Sequence, residues 1–233
     1  MWLLALAIAP GVFWVWYFRR RDHLRPEPRH LVGRVFVIGG LAAIGAVFIE
    51  ALAFRAAGID LSDSFVPSTA LAALIIGAVE ESAKLGALYL SVFRHAHLDE
   101  VMDGILYAVT ASLGFATVEN IGYVLQGGTD VAILRAVLSV PGHAFFGALM
   151  GFYVGVAKFA GRSSPLWFFG GLLLAAAAHA AYDAAIFTGT WLALTIIPFI
   201  FLLWRASLHY VRRALALDDE RLGKTLAAAR RIP

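Results

Sequence analysis

The stretch Thr69–Phe93 reads TALAALIIGAVEESAKLGALYLSVF. It is long enough to cross a bilayer as a helix, since about 20 apolar residues suffice. Yet Glu80, Glu81 and Lys84 sit within five positions of its middle. A charge at the centre of a membrane helix costs about 2.5–3.5 kcal/mol on insertion scales, so three together must face the interior of a bundle or a wet cavity. Intramembrane charges of this kind mark a functional site, and the remaining chain is read for partners at the same depth.

The composition agrees with a membrane setting. The 233 residues are 61% hydrophobic and 15% charged, where a soluble domain carries about 25% charged residues. Mean hydropathy is +0.78. Cysteine is absent, which removes disulfides, a thiol nucleophile and a Cys-ligated zinc site. Seven runs are read as spans: Trp2–Phe18, Leu31–Phe54, Thr69–Phe93, Gly104–Leu125, Val131–Phe159, Leu166–Phe187 and Trp191–Leu208. The fold class expected is an all-α, polytopic membrane helix bundle of about seven transmembrane helices, forming a single membrane domain over residues 1–233. The Arg19–His30 segment, with Pro26 and Pro28, reads as an extended linker. Gln126–Asp130 reads as a tight turn, and residues 209–233 as a cytoplasmic amphipathic tail attracted to anionic lipid.

Orientation follows from Lys and Arg. Sixteen fall in segments on one side, Arg55 and Arg135 on the other, and Lys84 lies within a span. The positive-inside rule then predicts an outside amino terminus and a cytoplasmic carboxyl terminus.

The polar residues deep in the spans are Glu80, Glu81, Lys84, Glu119, Asn120, His143, His179 and Asp183, from four helices. At about 1.5 Å per residue from the outer end of each span, Glu80 lies about 17 Å deep, Glu119 about 9 Å, His143 about 18 Å, His179 about 12 Å and Asp183 about 6 Å. Four antiparallel helices would thus bring carboxylates and imidazoles to one level. Either Glu80 or Glu81 can pair with Lys84, at i,i+4 and i,i+3, and Asp183 stands i,i+4 from His179, where it could orient the ring. Phe115 stands i,i+4 from Glu119 and could wall it from lipid. Asn120 is equally well read as an interhelical hydrogen bond. Glu50 and Arg34, near the ends of one span, read as snorkelling or paired charges. There is no H-E-x-x-H zinc motif and no G-x-S-x-G nucleophile elbow.

Taken in order, Glu80-Glu81-x-x-Lys84, Phe115-x-x-x-Glu119-Asn120, Pro141-x-His143 and His179-x-x-x-Asp183 resemble the four motifs of the PrsW-type intramembrane glutamic proteases. That family is related to the CAAX prenyl-protease and bacteriocin-processing superfamily. Asp103-Gly104 followed by Tyr107 resembles the opening of its second-motif helix. The resemblance covers about Ala70 to Phe187, a catalytic core of about residues 69–187. It implies a peptidase in which Glu80 activates water, Glu81 and Glu119 shape the site, and His143 and His179 position water or stabilise the oxyanion. Lys84, Asn120 and Asp183 are supporting. The CAAX branch carries His at the position of Glu119 and often Asn at that of Asp183; this chain has the PrsW pattern at both. The substrate implied is a single-pass membrane protein of anti-sigma-factor type, cut near its extracytoplasmic side at the cell membrane.

The expectation is therefore a glutamic peptidase in the lipid bilayer, with Glu80 or Glu81 as base, no cofactor and no nucleic-acid partner. The alternatives are a zinc peptidase with ligands from Glu81, Glu119, His143 and His179, and a proton-coupled transporter using the same groups as a relay. A transporter fits less well, because inverted repeats and inner-half polar groups are not evident.

Overall fold

Peptide groups buried in lipid have no water to bond, so a chain of this composition must satisfy them within helices. The computed structural model, which describes residues 2–59 and 66–229, does so with helices alone; no strand occurs among the described residues. The helices are α1 (Trp2–Arg19), α2 (Arg29–Ala57), α3 (Val66–Leu88), α4 (Val101–Leu134), α5 (Val140–Phe159), α6 (Ser164–Phe187) and α7 (Ile196–Ala229). Among the described residues, five helical stretches are long and apolar enough to cross a membrane: Trp2–Arg19, Arg29–Ala57, Val101–Phe159, Ser164–Phe187 and Trp191–Lys224. Exposed apolar side chains such as Phe48, Leu52, Leu90, Leu166 and Leu173 give the bundle a surface suited to acyl chains. The chain is an all-α, multi-pass membrane bundle.

The longest stretch is a hairpin rather than one rod. Gly128 adopts φ 69° and ψ −154°, a left-handed conformation that glycine takes without a Cβ clash, and the helix breaks there, within the 126–130 turn read from the sequence. The chain then runs back, α5 antiparallel to α4. Their contact depends on small residues: a Cβ on Gly104 would lie 2.6 Å from the Gly155 backbone. α4 is the central helix, buried continuously from Val101 to Thr117. A five-residue π turn, Arg135–Ser139, joins the hairpin to α5. Pro141 lies just beyond it and has no N–H to return to the Val137 carbonyl, which favours a widened turn.

Two segments differ from the sequence reading. The linker between α1 and α2 is not simply solvated, because Asp22 and Glu27 are buried. The Glu27 amide donates to Asp22 Oδ2 at 3.1 Å, Arg19 donates to the Glu27 carbonyl at 3.1 Å, and Tyr107 of α4 donates to the Glu27 carboxylate. Burial pushes both carboxyls above their ordinary range. The second segment begins near residue 209. It continues α7 without a break and keeps a buried stripe, Ile196, Ile200, Leu203, Ser207, Val211, Ala214 and Asp218, at helical spacing. Asp218 caps α4 from there, accepting from the Val101 amide at 2.7 Å and the Met102 amide at 2.9 Å. Asp103 Oδ2 accepts from the Glu100 amide at 2.7 Å, which closes the first turn of α4 from within. In the loop after α2, Gly58 ends the helix in a left-handed conformation, whereas Asp60 and Asp63 lie outside the described residues.

α3 meets α6 at Gly77, where an added Cβ would lie 2.7 Å from the Ala176 carbonyl oxygen and 2.9 Å from the Ala180 nitrogen. Neither neighbour is a flexible side chain. Gly77→Val is therefore expected to push apart the two helices that carry Glu81 and His179. The outcome predicted is membrane-inserted protein whose proteolytic rate falls at least about tenfold, since small misplacements of reacting groups are costly. A peptidase assay normalised to folded protein checks it.

Candidate active site

One turn of α3 sets the frame. Spacing of three and four residues brings Glu80, Glu81 and Lys84 to one face. The Lys84 ammonium is fully buried and donates to Glu80 Oε2 at 2.9 Å, to Glu81 Oε1 at 2.7 Å and to His143 Nδ1 of α5 at 2.9 Å. Three N–H groups meet three acceptors, so the charge is fully coordinated. The Phe115 ring centroid lies 4.5 Å from Nζ and adds a cation–π contact. Phe115 thus faces Lys84, beyond the shielding of Glu119 read from its spacing.

These contacts fix both imidazoles. His143 Nδ1 accepts from Lys84, so its proton resides on Nε2, 3.0 Å from Glu119 Oε2. His179 Nδ1 lies 2.9 Å from Glu81 Oε1 and donates to that carboxylate. Its Nε2 is turned to Glu80 Oε2 at 3.8 Å and Asp183 Oδ2 at 3.5 Å. The orienting partner of His179 is therefore Glu81, where the sequence spacing suggested Asp183; Asp183 stands beside the opposite ring nitrogen. Phe146 stacks on His179 with centroids 4.9 Å apart and holds the ring plane.

Glu119 is held from the far side by Arg135, with Nη2 3.1 Å from Oε1. Arg135 Nε donates to Asn120 Oδ1 at 2.9 Å, and Asn120 Nδ2 donates to the Ala7 carbonyl at 2.8 Å. Asn120 is thus the interhelical bond that was one reading of it, and it also anchors Arg135. The five residues read as catalytic, Glu80, Glu81, Glu119, His143 and His179, lie in this one cluster.

A cavity of about 810 Å³ opens beside them. Glu80, Glu119, His143, His179 and Asp183 line it; Glu81, Lys84 and Asn120 lie behind its wall. Two further charged residues line it that the sequence reading gave no chemistry, Glu50 of α2 and Arg135. Glu50 Oε1 is buried without a hydrogen-bond partner among the described residues. A carboxylate in the apolar run between Arg34 and Arg55 was the available signal, read instead as a snorkelling end charge. Arg135 carried no signal beyond its charge.

The donors that converge are Glu80, His143 and His179, each with one ligand atom within 4.8 Å of the others. Glu80 thus replaces Glu81 and Glu119 in the set read from the sequence. Two imidazoles and a carboxylate suit zinc by type. However, Lys84 already donates to two of these three side chains, Glu80 and His143, so an ion bound there must share them with a fixed ammonium.

Residues 27–206 match the family described as PrsW family intramembrane metalloprotease. Three relatives are each named Protease PrsW. That of Bacillus subtilis (strain 168) is 34% identical over 220 residues, 93% of this chain and 97% of the relative. That of Geobacillus kaustophilus (strain HTA426) is 37% identical over 213 residues, 91% and 92% of the two chains. That of Clostridioides difficile (strain 630) is 30% identical over 222 residues, 91% and 90%. No solved structure matches the chain significantly. A multi-pass bundle that gathers all four motifs around one cavity agrees with these matches over nine-tenths of its length: the chain belongs to the PrsW family of intramembrane proteases.

Proposed function

We propose that this membrane protease hydrolyses a peptide bond of a single-pass, anti-sigma-factor-like membrane protein with a water activated by Glu80, near the extracytoplasmic face of the cell membrane. The observation that carries the assignment is which carboxylate faces the cavity. Glu80 lines it, while Glu81 lies behind, held by Lys84 and His179. Glu80 takes a proton from water as the oxygen attacks the scissile carbonyl. N–H groups lining the cavity, His143 Nε2–H and the Arg135 guanidinium, meet the oxyanion. The tetrahedral intermediate collapses, the C–N bond breaks, and the proton on Glu80 passes to the leaving amine. His179, oriented by Glu81, positions the water through Nε2, with Asp183 beside it. Lys84 keeps both α3 carboxylates in place. A positioned base contributes about 10²–10⁴-fold, and each oxyanion donor about 10²–10³-fold.

The extracytoplasmic assignment rests on charge asymmetry. The cavity is lined from the carboxyl ends of α2 and α6 and the amino end of α5. Sixteen Lys and Arg residues fall in segments at the opposite ends of the seven expected spans, against Arg135, which lines the cavity, and Arg55 in the last turn of α2. A reporter fused after Pro233 is expected to read cytoplasmic and one inserted at 60–65 external; the reverse pattern overturns the orientation.

A second reading is metal-dependent hydrolysis, favoured by the convergence of Glu80, His143 and His179 and by the word metalloprotease in the family's description. A bound zinc would be held by those three side chains and would acidify a water. Cleavage of a single-pass substrate by purified protein, with and without a strong chelator, separates the two. Retained activity supports Glu80 acting without metal; loss restored by zinc supports the metal.

A further inference from the structure

A second set of buried acids occupies the other end of α4, away from the proteolytic cavity. Asp22 from the α1–α2 connection and Glu100 and Asp103 at the amino end of α4 each bring a carboxylate oxygen within 4.8 Å of the other two. Their exposures are 2%, 6% and 0%. One oxygen of each is engaged: Asp22 Oδ2 by the Glu27 amide, Asp103 Oδ2 by the amides of Asp99 and Glu100, and Glu100 Oε1 by Arg25 Nε at 3.6 Å. The other oxygen of each, Asp22 Oδ1, Glu100 Oε2 and Asp103 Oδ1, is buried with no hydrogen-bond partner among the described residues. Three orphaned acceptors from three converging carboxylates are costly unless protons or a cation meet them, and a cation alone would satisfy all three together.

Arg25 pairs with Glu100 at 3.6 Å and Arg19 acts on Asp22 through its charge, but among the described residues no side-chain cation donates to any of the three orphaned oxygens. Arg25 is half-exposed and reaches Asp99 at 2.7 Å and Glu100 at 3.6 Å. Arg221 lies 3.9 Å from Asp218, and His97 lies 3.6 Å from Glu27. Arg19 donates to a backbone carbonyl. Glu27, Asp99 and Asp218 add further negative charge around the three.

We propose that Asp22, Glu100 and Asp103 bind a hard divalent cation, Ca²⁺ or Mg²⁺. The donors are carboxylate oxygens without nitrogen or sulfur, the chemistry that selects these ions over zinc or copper. The site is structural. It ties the α1–α2 connection to the first turn of α4, the turn that Asp218 of α7 also caps. Asp103 and Glu119 are separated by about 24 Å of helix, so the ion takes no part in proteolysis.

The test uses full-length protein carrying Glu80→Gln, which cripples the converging donor set at the proteolytic cavity. Stripped of metal, it is titrated with CaCl₂ or MgCl₂ while thermal unfolding is followed; Tb³⁺ luminescence reads binding directly. The expected result is saturable binding of at least one ion and a rise in unfolding midpoint of about 5 °C or more at saturation. Adding Asp22→Asn and Asp103→Asn abolishes both, while their backbone hydrogen bonds can still be accepted by the amide oxygen. If that variant fails to fold, Glu100→Gln alone is expected to weaken Tb³⁺ binding at least tenfold. Absence of binding by either ion and by Tb³⁺ overturns the proposal, as does binding undiminished by these substitutions. Stabilisation by zinc alone overturns it as well.

Discussion

Glu80→Gln is expected to lower the rate of peptide cleavage by about 10²–10⁴-fold while leaving the protein inserted and folded. The amide keeps the shape of the side chain and can still accept from Lys84, so the contact between α3 and α5 survives. It cannot take a proton from water. Glu81→Gln provides the contrast. Its Oε1 accepts from Lys84 and His179 behind the cavity wall, where an amide oxygen can accept the same two hydrogen bonds, so the rate is expected to fall far less than with Glu80→Gln. The decisive measurement is cleavage of a single-pass substrate at equal amounts of folded protein. Undiminished cleavage by the Glu80→Gln/Glu81→Gln double variant would remove both α3 carboxylates from the mechanism.

Lys84→Met is expected to have the largest effect on stability. The ammonium has no solvent exposure and joins Glu80, Glu81 and His143, which belong to two helices. Removing it leaves two carboxylates buried side by side, and breaking a buried pair in this way costs about 3–5 kcal/mol. The yield of folded protein and its unfolding midpoint should both fall. Adding Glu81→Gln to Lys84→Met should recover part of the loss, because one uncompensated charge is then gone. If Lys84→Met alone melts like the parent, the ammonium is not the hub of the site.

Much of the site was legible because lipid makes charge expensive. Glu80, Glu81, Glu119, His143 and His179 stood out as polar residues deep in apolar runs, and each lies in the cluster. Their pairing was less legible. Spacing within α6 pointed to Asp183 as the partner of His179, whereas Glu81 takes that place, because the choice depends on how α3 and α6 are rotated at Gly77, which spacing within α6 does not encode. Glu50 was missed because a charge near a helix end has an ordinary explanation in snorkelling, and Arg135 because it carried no signal beyond its charge. The buried Asp22 and Glu27 were hidden by their setting, a basic, proline-containing segment with the composition of a solvated linker.

The cap that Asp218 places on α4 has a consequence for biosynthesis. The Val101 amide and its acceptor are 117 residues apart in sequence. At about 5–20 residues per second, the first turn of the central helix waits about 6–23 s for the side chain that completes it. During that interval α4 and α5 can pair through their glycines, but the amino end of α4 remains open. The bundle is closed by its last helix, so a chain truncated before Asp218 retains every residue of the proteolytic cluster yet lacks the closing contact.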